Sequence, residues 1–562
     1  MLQHVARRQD AGEGLSMPDQ VLSVPFTDNT VPDIPGPTSP IVARLILLGV
    51  PVTFLLIVAT ILVLAFRSDG QLLLSETILI VLMAVLCGWE AMPSANAVLG
   101  LFALSKPHQS KEGSALSIAI LTTMRDECAQ DVIPKKLDLL RALQGKTRHG
   151  FDLHVLSDSK MATHIENERR LVHAARSLPV FYSNRPVNTD FKSGNIRNWV
   201  EHSGAAYDAF IILDADSEMD SGTAGALADM LSADQTCALI QTIPIVQHGH
   251  TIWQNMQSLA SRLYGRLQGH GHALWMGNEA NYYGHNAIIR TKAFAASAGL
   301  PHLYGRGPWN GTILSHDFVE AALLRRAGWT TRLLPAETGS YEQAPIDVIA
   351  HLKRDARWCL GNFQHSRVLG SAGFHPVSRF HFLGGIFTYL SSAVWMTTLL
   401  LWGIIDVTQT GVGGFLAISA FLLIATNLLL PRVLGVISAT VRKPEMSRLI
   451  LTEAAKETLF SSLFAPSLMV QRVMIIGRVL ANQSITWAQQ HKTTRSLPDC
   501  LVFHGVEVLV GLGLLASVER GYLTAWFLPL AVCLALTPLL SWFSAQPKAN
   551  TAHENLNGKT PL

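Results

Sequence analysis

Charge is scarce in this chain. Of 562 residues only 15% are Asp, Glu, Lys or Arg, against 49% that are hydrophobic. That balance excludes an ordinary soluble enzyme and fits a membrane protein with a soluble part. The net charge of +3 argues for no nucleic acid partner, and the basic residues sit beside apolar segments. Cysteine is scarce too. Cys87, Cys128, Cys237, Cys359, Cys500 and Cys533 are scattered without a CxxC pair, so they read as reduced, buried thiols rather than disulfides or a zinc site. No GxGxxG or Walker-type glycine loop occurs, which weighs against dinucleotide binding and ordinary ATP hydrolysis. Residues 1–40 lack an apolar run and are rich in Pro, Gly, Asp and Ser. They read as a disordered tail with no cleavable signal peptide, and residues 546–562 as a second tail.

Long apolar runs are present instead. Residues 41–104 hold two, each long enough to cross a hydrocarbon core of about 30 Å. Glu90 interrupts the second and must face protein or an interface. Residues 376–545 hold four more, at about 380–405, 415–434, 501–516 and 523–543. Between them, 460–480 carries Pro466, Gln471, Arg472 and Arg478 with one apolar face. It reads as an amphipathic helix lying on the membrane, or as a re-entrant or spanning segment. This bundle therefore has four to six helices, among membrane lipids. Lys106, Lys111, Arg432, Arg442, Lys443, Arg448, Lys492 and Arg495 flank one side of the runs, which places the soluble part and both ends in the cytoplasm.

Between the two sets of runs, residues 105–375 alternate strand and helix patterns. Strands are expected at 116–122, 151–156, 179–182, 209–212 and 238–243. Helices are expected in the stretch up to 143 and at 195–202, 221–231 and 252–267. Such alternation implies an α/β domain with a mostly parallel sheet, inserted between α-helical transmembrane segments.

One strand carries the most chemistry. Ala209-Phe210-Ile211-Ile212 reads as buried and runs into Leu213-Asp214-Ala215-Asp216. Side chains two apart on a strand point the same way, and α/β sheets bind ligands at the C-terminal ends of their strands. Paired carboxylates there suit Mg²⁺ or Mn²⁺ shared with a substrate phosphate. The alternative is a solvated strand end, since Asp is common in turns. Other strand ends bring Asp126-Glu127, Asp158 and Lys192-Ser193-Gly194-Asn195 to the same edge, as a nucleotide cleft requires.

Further along lie Gly284-His285-Asn286, then Ser315-His316-Asp317, then Arg354-Asp355-Ala356-Arg357-Trp358. Ser315 is expected to cap a helix with Asp317 in its first turn, either favouring the helix dipole or acting as a general base. Three adjacent residues on one turn form no Ser-His-Asp relay, because facing helix positions are three or four apart. Arg357 suits a diphosphate and Trp358 a sugar face; basic juxtamembrane residues can equally be lipid-facing anchors. His248-Gly249-His250 and His270-Gly271-His272 look like metal sites, but no Cys or carboxylate completes them at ligand spacing.

In chain order, Asp158, Asp214-x-Asp216, Gly284-His285-Asn286, His316-Asp317 and Arg357-Trp358 resemble the motif series of the processive membrane glycosyltransferases of family 2, which include cellulose and hyaluronan synthases. Ser-His-Asp stands where that family has Thr-Glu-Asp, and Arg354 where it has Gln. Both departures resemble one subgroup, the glucosyltransferases of osmoregulated periplasmic glucans. So do the stretches SGNI, YGHNAIIR, ILSHDFVEAALLRRAGW, GSYE and KRDARWCLGN. The resemblance spans about residues 40–545. It implies a GT-A fold and inverting transfer of glucose from UDP-glucose to a growing β-glucan, in the bacterial inner membrane. Carried over by position, Glu127 and Asp158 contact uridine, Lys192 and Asp214 the nucleotide, and Asp216 a Mg²⁺ or Mn²⁺ ion. Asp317 is then the base, and Arg357 and Trp358 hold the diphosphate and acceptor, with Gly284, His285, Asn286 and His316 beside them. The resemblance also implies acyl carrier protein and a periplasmic glucan-modifying protein as partners, although no residue of this chain carries either. The rival readings are a transferase acting on a lipid or another polysaccharide, and a non-catalytic transporter or scaffold. The latter predicts loss of Asp216 or Asp317, and both are present.

Overall fold

The computed structural model describes residues 14–27, 31, 40–67, 71–103, 113–335, 338–408, 415–483 and 495–547. Two long helices come first, α1 (Ile41–Phe66) and α2 (Leu74–Ala103). The domain follows: β1 (Ser117–Met124), α3 (Ala129–Leu143), β2 (Gly150–Ser157), α4 (Ala162–Ala174), β3 (Val180–Asn184), α5 (Phe191–Ser203), β4 (Ala209–Leu213), β5 (Glu218–Met219) and α6 (Ser221–Ala233). It continues with β6 (Cys237–Thr242), β7 (Ile245–Val246), α7 (Ile252–Met276), β8 (Ala287–Arg290), α8 (Thr291–Ser297), α9 (His316–Arg326), β9 (Thr330–Leu334), β10 (Ser340–Glu342) and α10 (Val348–Val368). The C-terminal helices are α11 (Pro376–Thr408), α12 (Phe415–Arg442), α13 (Ser447–Leu480), α14 (Leu497–Phe503), α15 (Gly505–Glu519) and α16 (Leu528–Ser544).

Seven strands form the main sheet in the order β3-β2-β1-β4-β8-β6-β9. Only β8 runs antiparallel to its neighbours. The central strands β1 and β4 are buried along nearly their whole length and largely apolar because both faces are covered. Ile118, Ile120, Ile211 and Leu213 enter one core, against Ile133 and Leu140 of α3 and Leu227 of α6. Ala119, Leu121, Phe210 and Ile212 enter the other, against Trp199 of α5, Phe294 of α8 and Leu324 of α9. A small sheet of order β5-β10-β7 lies just beyond the ends of β4 and β6.

Three helices of the domain join it to the apolar helices, α7, α10 and α9, the last through Val319 and Leu323 against Phe382 of α11. Trp275 and Met276 of α7 pack with Leu47 of α1 and Leu99 of α2, while Leu259 and Leu263 meet Ala439 of α12 and Ala454 of α13. Helix α10 buries Val348, Leu352 and Cys359 against Tyr389 of α11 and Phe464 of α13. Among the described residues, six helices are long and apolar enough to cross a membrane, and α14 and α15 form a further apolar pair bent by 72°.

Two expectations need correction. Residues 14–27 are not a disordered tail: Met17 is 4% exposed and packs in the second core. The Gln20 amide donates to the Gly299 carbonyl at 3.0 Å, Asp19 pairs with Arg197 at 2.6 Å, and Arg326 donates to the Val21 carbonyl at 3.1 Å. The few apolar residues of a polar segment suffice because α5, α8 and α9 offer them a preformed seat. Residues 1–13 and 548–562 lie outside the described residues. Second, of the two readings of 460–480 the surface helix is not seen and the spanning one fits. The segment is the second half of the 34-residue helix α13, which is long and apolar enough to cross a membrane. Gln471 and Arg472 face protein, while Arg478 is exposed. Arg472 pairs with Asp355 at 2.9 Å, and Gln471 donates to Glu507 at 2.7 Å.

Candidate active site

Strand β4 stops at Leu213, so Asp214 and Asp216 stand on the turn that follows rather than on the strand. Their surroundings differ. Asp214 forms an ion pair with Lys192 of α5, whose ammonium also donates to the Gly284 carbonyl at 2.8 Å. Burial would raise the Asp214 carboxyl, but Lys192, His285 and His316 outweigh it and hold it below its ordinary value. Asp216 has no ion pair among the described residues. Burial, followed by the neighbouring Asp214 carboxylate, pushes it up despite His285, Arg354 and Lys136. A carboxylate with surplus negative charge around it fits a divalent cation as its missing partner.

Behind this turn sits a residue that the sequence did not single out. Lys136 of α3 is 1% exposed, and its ammonium donates to the Ser217 carbonyl. Burial lowers it to about 8, although Glu218, Asp216 and Asp214 oppose that. On an amphipathic helix a lysine reads as solvated, and nothing local marks this one as turned inward.

Helix α9 supplies Asp317 in its first turn. Ser315 occupies the N-cap position but makes no capping hydrogen bond with its side chain, contrary to expectation. Helix α10 presses against this point, since a β-carbon on Gly361 would lie 2.2 Å from Ser315 Oγ. Burial raises the Asp317 carboxyl, and Glu320 adds to that against the pull of His316 and Lys192. His316 faces Glu320 at 3.0 Å behind it. Gly284 meets Asp317 closely: its φ is +87°, and a β-carbon there would lie 3.4 Å from Asp317 Oδ2. Only glycine serves this backbone without strain.

His285 bridges the two sheets. Its Nδ1 is 3.0 Å from Ser217 Oγ and its Nε2 is 3.5 Å from Glu342 of β10. Glu342 is raised by burial, with His285 and Arg354 opposing and Asp216 adding to the rise. Glu342 is the second residue that sequence reasoning missed as part of the site; it stands in the GSYE stretch, without a role. Asn286 does not face the cleft as expected. It is fully buried, and its amide donates to Ser340 Oγ at 2.8 Å and the Tyr341 carbonyl at 3.2 Å. Its work is to fix the small sheet to the large one.

The remaining residues lie on the rim. Asp158 is buried and held by Arg185 through two hydrogen bonds of 2.8 and 2.9 Å, so its carboxylate is already satisfied from one side. Glu127 folds back to accept from the Arg125 amide, and its carboxyl is raised chiefly by burial. On α10, Arg357 is lowered to about 10 by burial, then by Arg354 and Arg125. Guanidiniums crowded in this way suit a polyanion. Trp358 is 47% exposed, and the Arg354 guanidinium lies 4.5 Å from its ring centre. One face of the indole is therefore covered before any sugar arrives. Among the described residues no group of three His, Cys, Asp or Glu side chains forms a metal cluster; His248 instead bonds Asn255 at 3.0 Å.

Residues 209–432 match the family model described as glycosyl transferase family group 2. The chain is 34% identical over 528 residues to a glucans biosynthesis glucosyltransferase H of Vibrio cholerae, covering 86% of this chain and 71% of that protein. A protein of the same name from Rhodopseudomonas palustris is 35% identical over 507 residues, with 84% and 70% covered. The chain belongs to the glucans biosynthesis glucosyltransferase H family. It is a glycosyltransferase with a GT-A domain between apolar helices. A solved mannosyltransferase from Pyrobaculum calidifontis, in complex with GDP-Man and Mn²⁺, is 14% identical with a TM-score of 0.43, covering 69% of this chain and 99% of that one. That likeness is too distant to bear on the site.

Proposed function

We propose that the chain is a processive, inverting glucosyltransferase of the bacterial inner membrane. It takes glucose from UDP-glucose, extends a β-glucan, and passes the product through its own helices from a transferase domain on the cytoplasmic side. The observation that carries this reading is the opposition of two charge sets across one cleft. Asp317, a carboxyl raised by burial, stands beside Gly284. The crowded Arg354 and Arg357 and the unpaired Asp216 stand with it at the same cleft. A carboxyl held above its usual range is a stronger base once ionised.

In the reaction, Asp317 takes the proton of the acceptor hydroxyl as that oxygen bonds to C1 of glucose. The bond from C1 to the diphosphate oxygen breaks on the opposite face, which inverts C1 and releases UDP. Arg357 takes up the charge gathering on the diphosphate. Asp216 would hold a Mg²⁺ or Mn²⁺ ion, which would supply further electrostatic stabilisation of that leaving group. Lys192 holds Asp214 and the Gly284 carbonyl, so it fixes both walls of the cleft. Trp358 offers its open edge to the acceptor.

The test is full-length protein in detergent with labelled UDP-sugars and Mg²⁺, followed by linkage analysis of the product. Incorporation of glucose from UDP-glucose into a β-linked polymer is expected. Preferential incorporation from another sugar nucleotide overturns the assignment.

A further inference from the structure

Helix α9 carries two ionisable groups that the transfer step does not use. Glu320 lies one turn beyond His316, and its Oε2 is 3.0 Å from His316 Nδ1. Both side chains are buried, Glu320 at 1% exposure. Among the described residues no lysine or arginine pairs with Glu320. Tyr282 lies within its field, but the tyrosine hydroxyl donates to the Gly284 carbonyl at 2.9 Å and is spent there. A carboxylate taken out of water is costly unless an opposite charge meets it. Here the imidazole of His316 is the group placed to do so.

The surroundings of the pair set its effect on Asp317. Lys192 of α5, Asp214 on the turn after β4, and Tyr282 and Tyr283 before β8 are the ionisable groups that face this point. Helix α10 brings His365, which donates from Nε2 to the Ser315 carbonyl at 3.0 Å and is lowered to about 4 by burial, so it adds no charge. Burial disfavours a charged His316, but Glu320 and then Asp317 outweigh it and raise the imidazole above its ordinary value. Asp317 is raised first by burial, and His316 is the foremost group drawing it back, ahead of Lys192. A base raised without limit would stay protonated near neutrality and accept no proton, so the cation beside it matters. Glu320 therefore acts on Asp317 in two opposed ways. Directly, as a like charge, it raises the base; through His316 it lowers it.

We propose that Glu320 is a positioning residue that acts through His316: its carboxylate holds the imidazole in the charged form, and that cation keeps Asp317 ionised inside the buried cleft. The proposal rests on the reading of Asp317 as the base of glucosyl transfer. The experiment measures kcat against pH for full-length protein in detergent with UDP-glucose and Mg²⁺. His316→Gln removes the cation, so its acid limb should move up. Its kcat should lie about tenfold below the wild type at acid pH and close on it as pH rises. Glu320→Gln decides the route. Were Glu320 only a like charge facing the base, its removal would move the limb down. Acting through His316, its removal lets burial neutralise the imidazole, and the limb moves up, by less than in His316→Gln because a negative charge has gone too. The double variant should match Glu320→Gln, since both leave Asp317 without either charge. A merely structural loss would lower kcat equally at every pH. Thermal unfolding against pH reads the same pair without catalysis. His316 is raised in the fold, so the stability it adds over His316→Gln is full below the ordinary histidine value and lost as pH rises through its folded value. In the Glu320→Gln background that dependence should vanish. A limb that moves down or stays in Glu320→Gln, or a stability gap that does not change with pH, overturns the proposal. A pH-dependent gap in a protein that transfers no glucose would uphold the charged pair and sink the glucosyltransferase.

Discussion

The carboxylates of the cleft and those at the joint between the domain and the helices are neutralised in different ways. At the joint each has a cation of its own. Asp355 has Arg472 at 2.9 Å, Asp347 has Arg495 at 3.1 Å, and Glu279 is shared by Arg44 and Arg325. All three carboxylates are almost fully buried. In the cleft, Asp216, Asp317 and Glu342 are raised first by burial, which the cations around them do not offset. Negative charge left over in a cleft marks where a ligand cation or a transferred proton belongs, whereas charge cancelled within the protein marks structure. Helix α10 belongs to both regions, with Asp355 turned to the joint and Arg354, Arg357 and Trp358 turned to the cleft.

If this contrast holds, cleft substitutions change rate and joint substitutions change stability. The largest effect is expected for Asp317→Asn, a fall of about a thousandfold in polymer synthesis with nucleotide binding retained. Near-normal synthesis would remove Asp317 from the mechanism. The wild-type rate should fall with decreasing pH through a limb lying above the ordinary carboxylate value, because Asp317 in the proposed role must be ionised and its carboxyl is raised by burial. A limb at the ordinary value in a pH profile of kcat would count against that. Next, Asp216→Asn should cost about a hundredfold in rate and shift the metal requirement upward. It should leave thermal stability unchanged or slightly higher, since it relieves repulsion from Asp214. A marked drop in Tm would place Asp216 with the structural carboxylates instead.

At the joint, Asp355→Ala should cost about 3 kcal/mol of stability, the low end for breaking a buried pair, because Arg472 reaches some solvent. Denaturation in detergent reads this out, and a loss below about 1 kcal/mol would make the pair a surface-like contact. The smallest effect is expected for Arg354→Gln. Losing the cation over Trp358 should raise the acceptor KM about threefold with little change in kcat.

Much of this was legible in the sequence, for physical reasons. Strands covered on both faces are largely apolar, so five of the seven strands of the main sheet announced themselves, while the four-residue β8 and the Thr- and Arg-bearing β9 did not. The carboxylates at the ends of the five could be read from their offsets. The paired Asp214 and Asp216 were visible, but the different environment of each depends on Lys192, His285 and Arg354, which lie far off in sequence. Lys136 and Glu342 were hidden because a buried charge looks like an exposed one until the fold is known. Residues 14–27 misled because composition measures the average, and three or four apolar side chains seated on a finished surface are enough. The polar stripe of α13 misled in the opposite way, since a face bearing Arg and Gln is assumed to meet water or headgroups, and here it meets Asp355 and Glu507.

The contact between Gly361 and Ser315 gives the machinery its mechanical tolerance. With hydrogen atoms only on that α-carbon, the helix bearing the arginines comes directly against the backbone of the turn bearing Asp317. Gln364 and His365 rivet them together through Leu314 and Ser315. The two parts are tied at these contacts, so a tilt of α10 would carry Asp317 with it. One added methyl group would act as a shim, prying apart parts that must stay within about an ångström of register for efficient transfer.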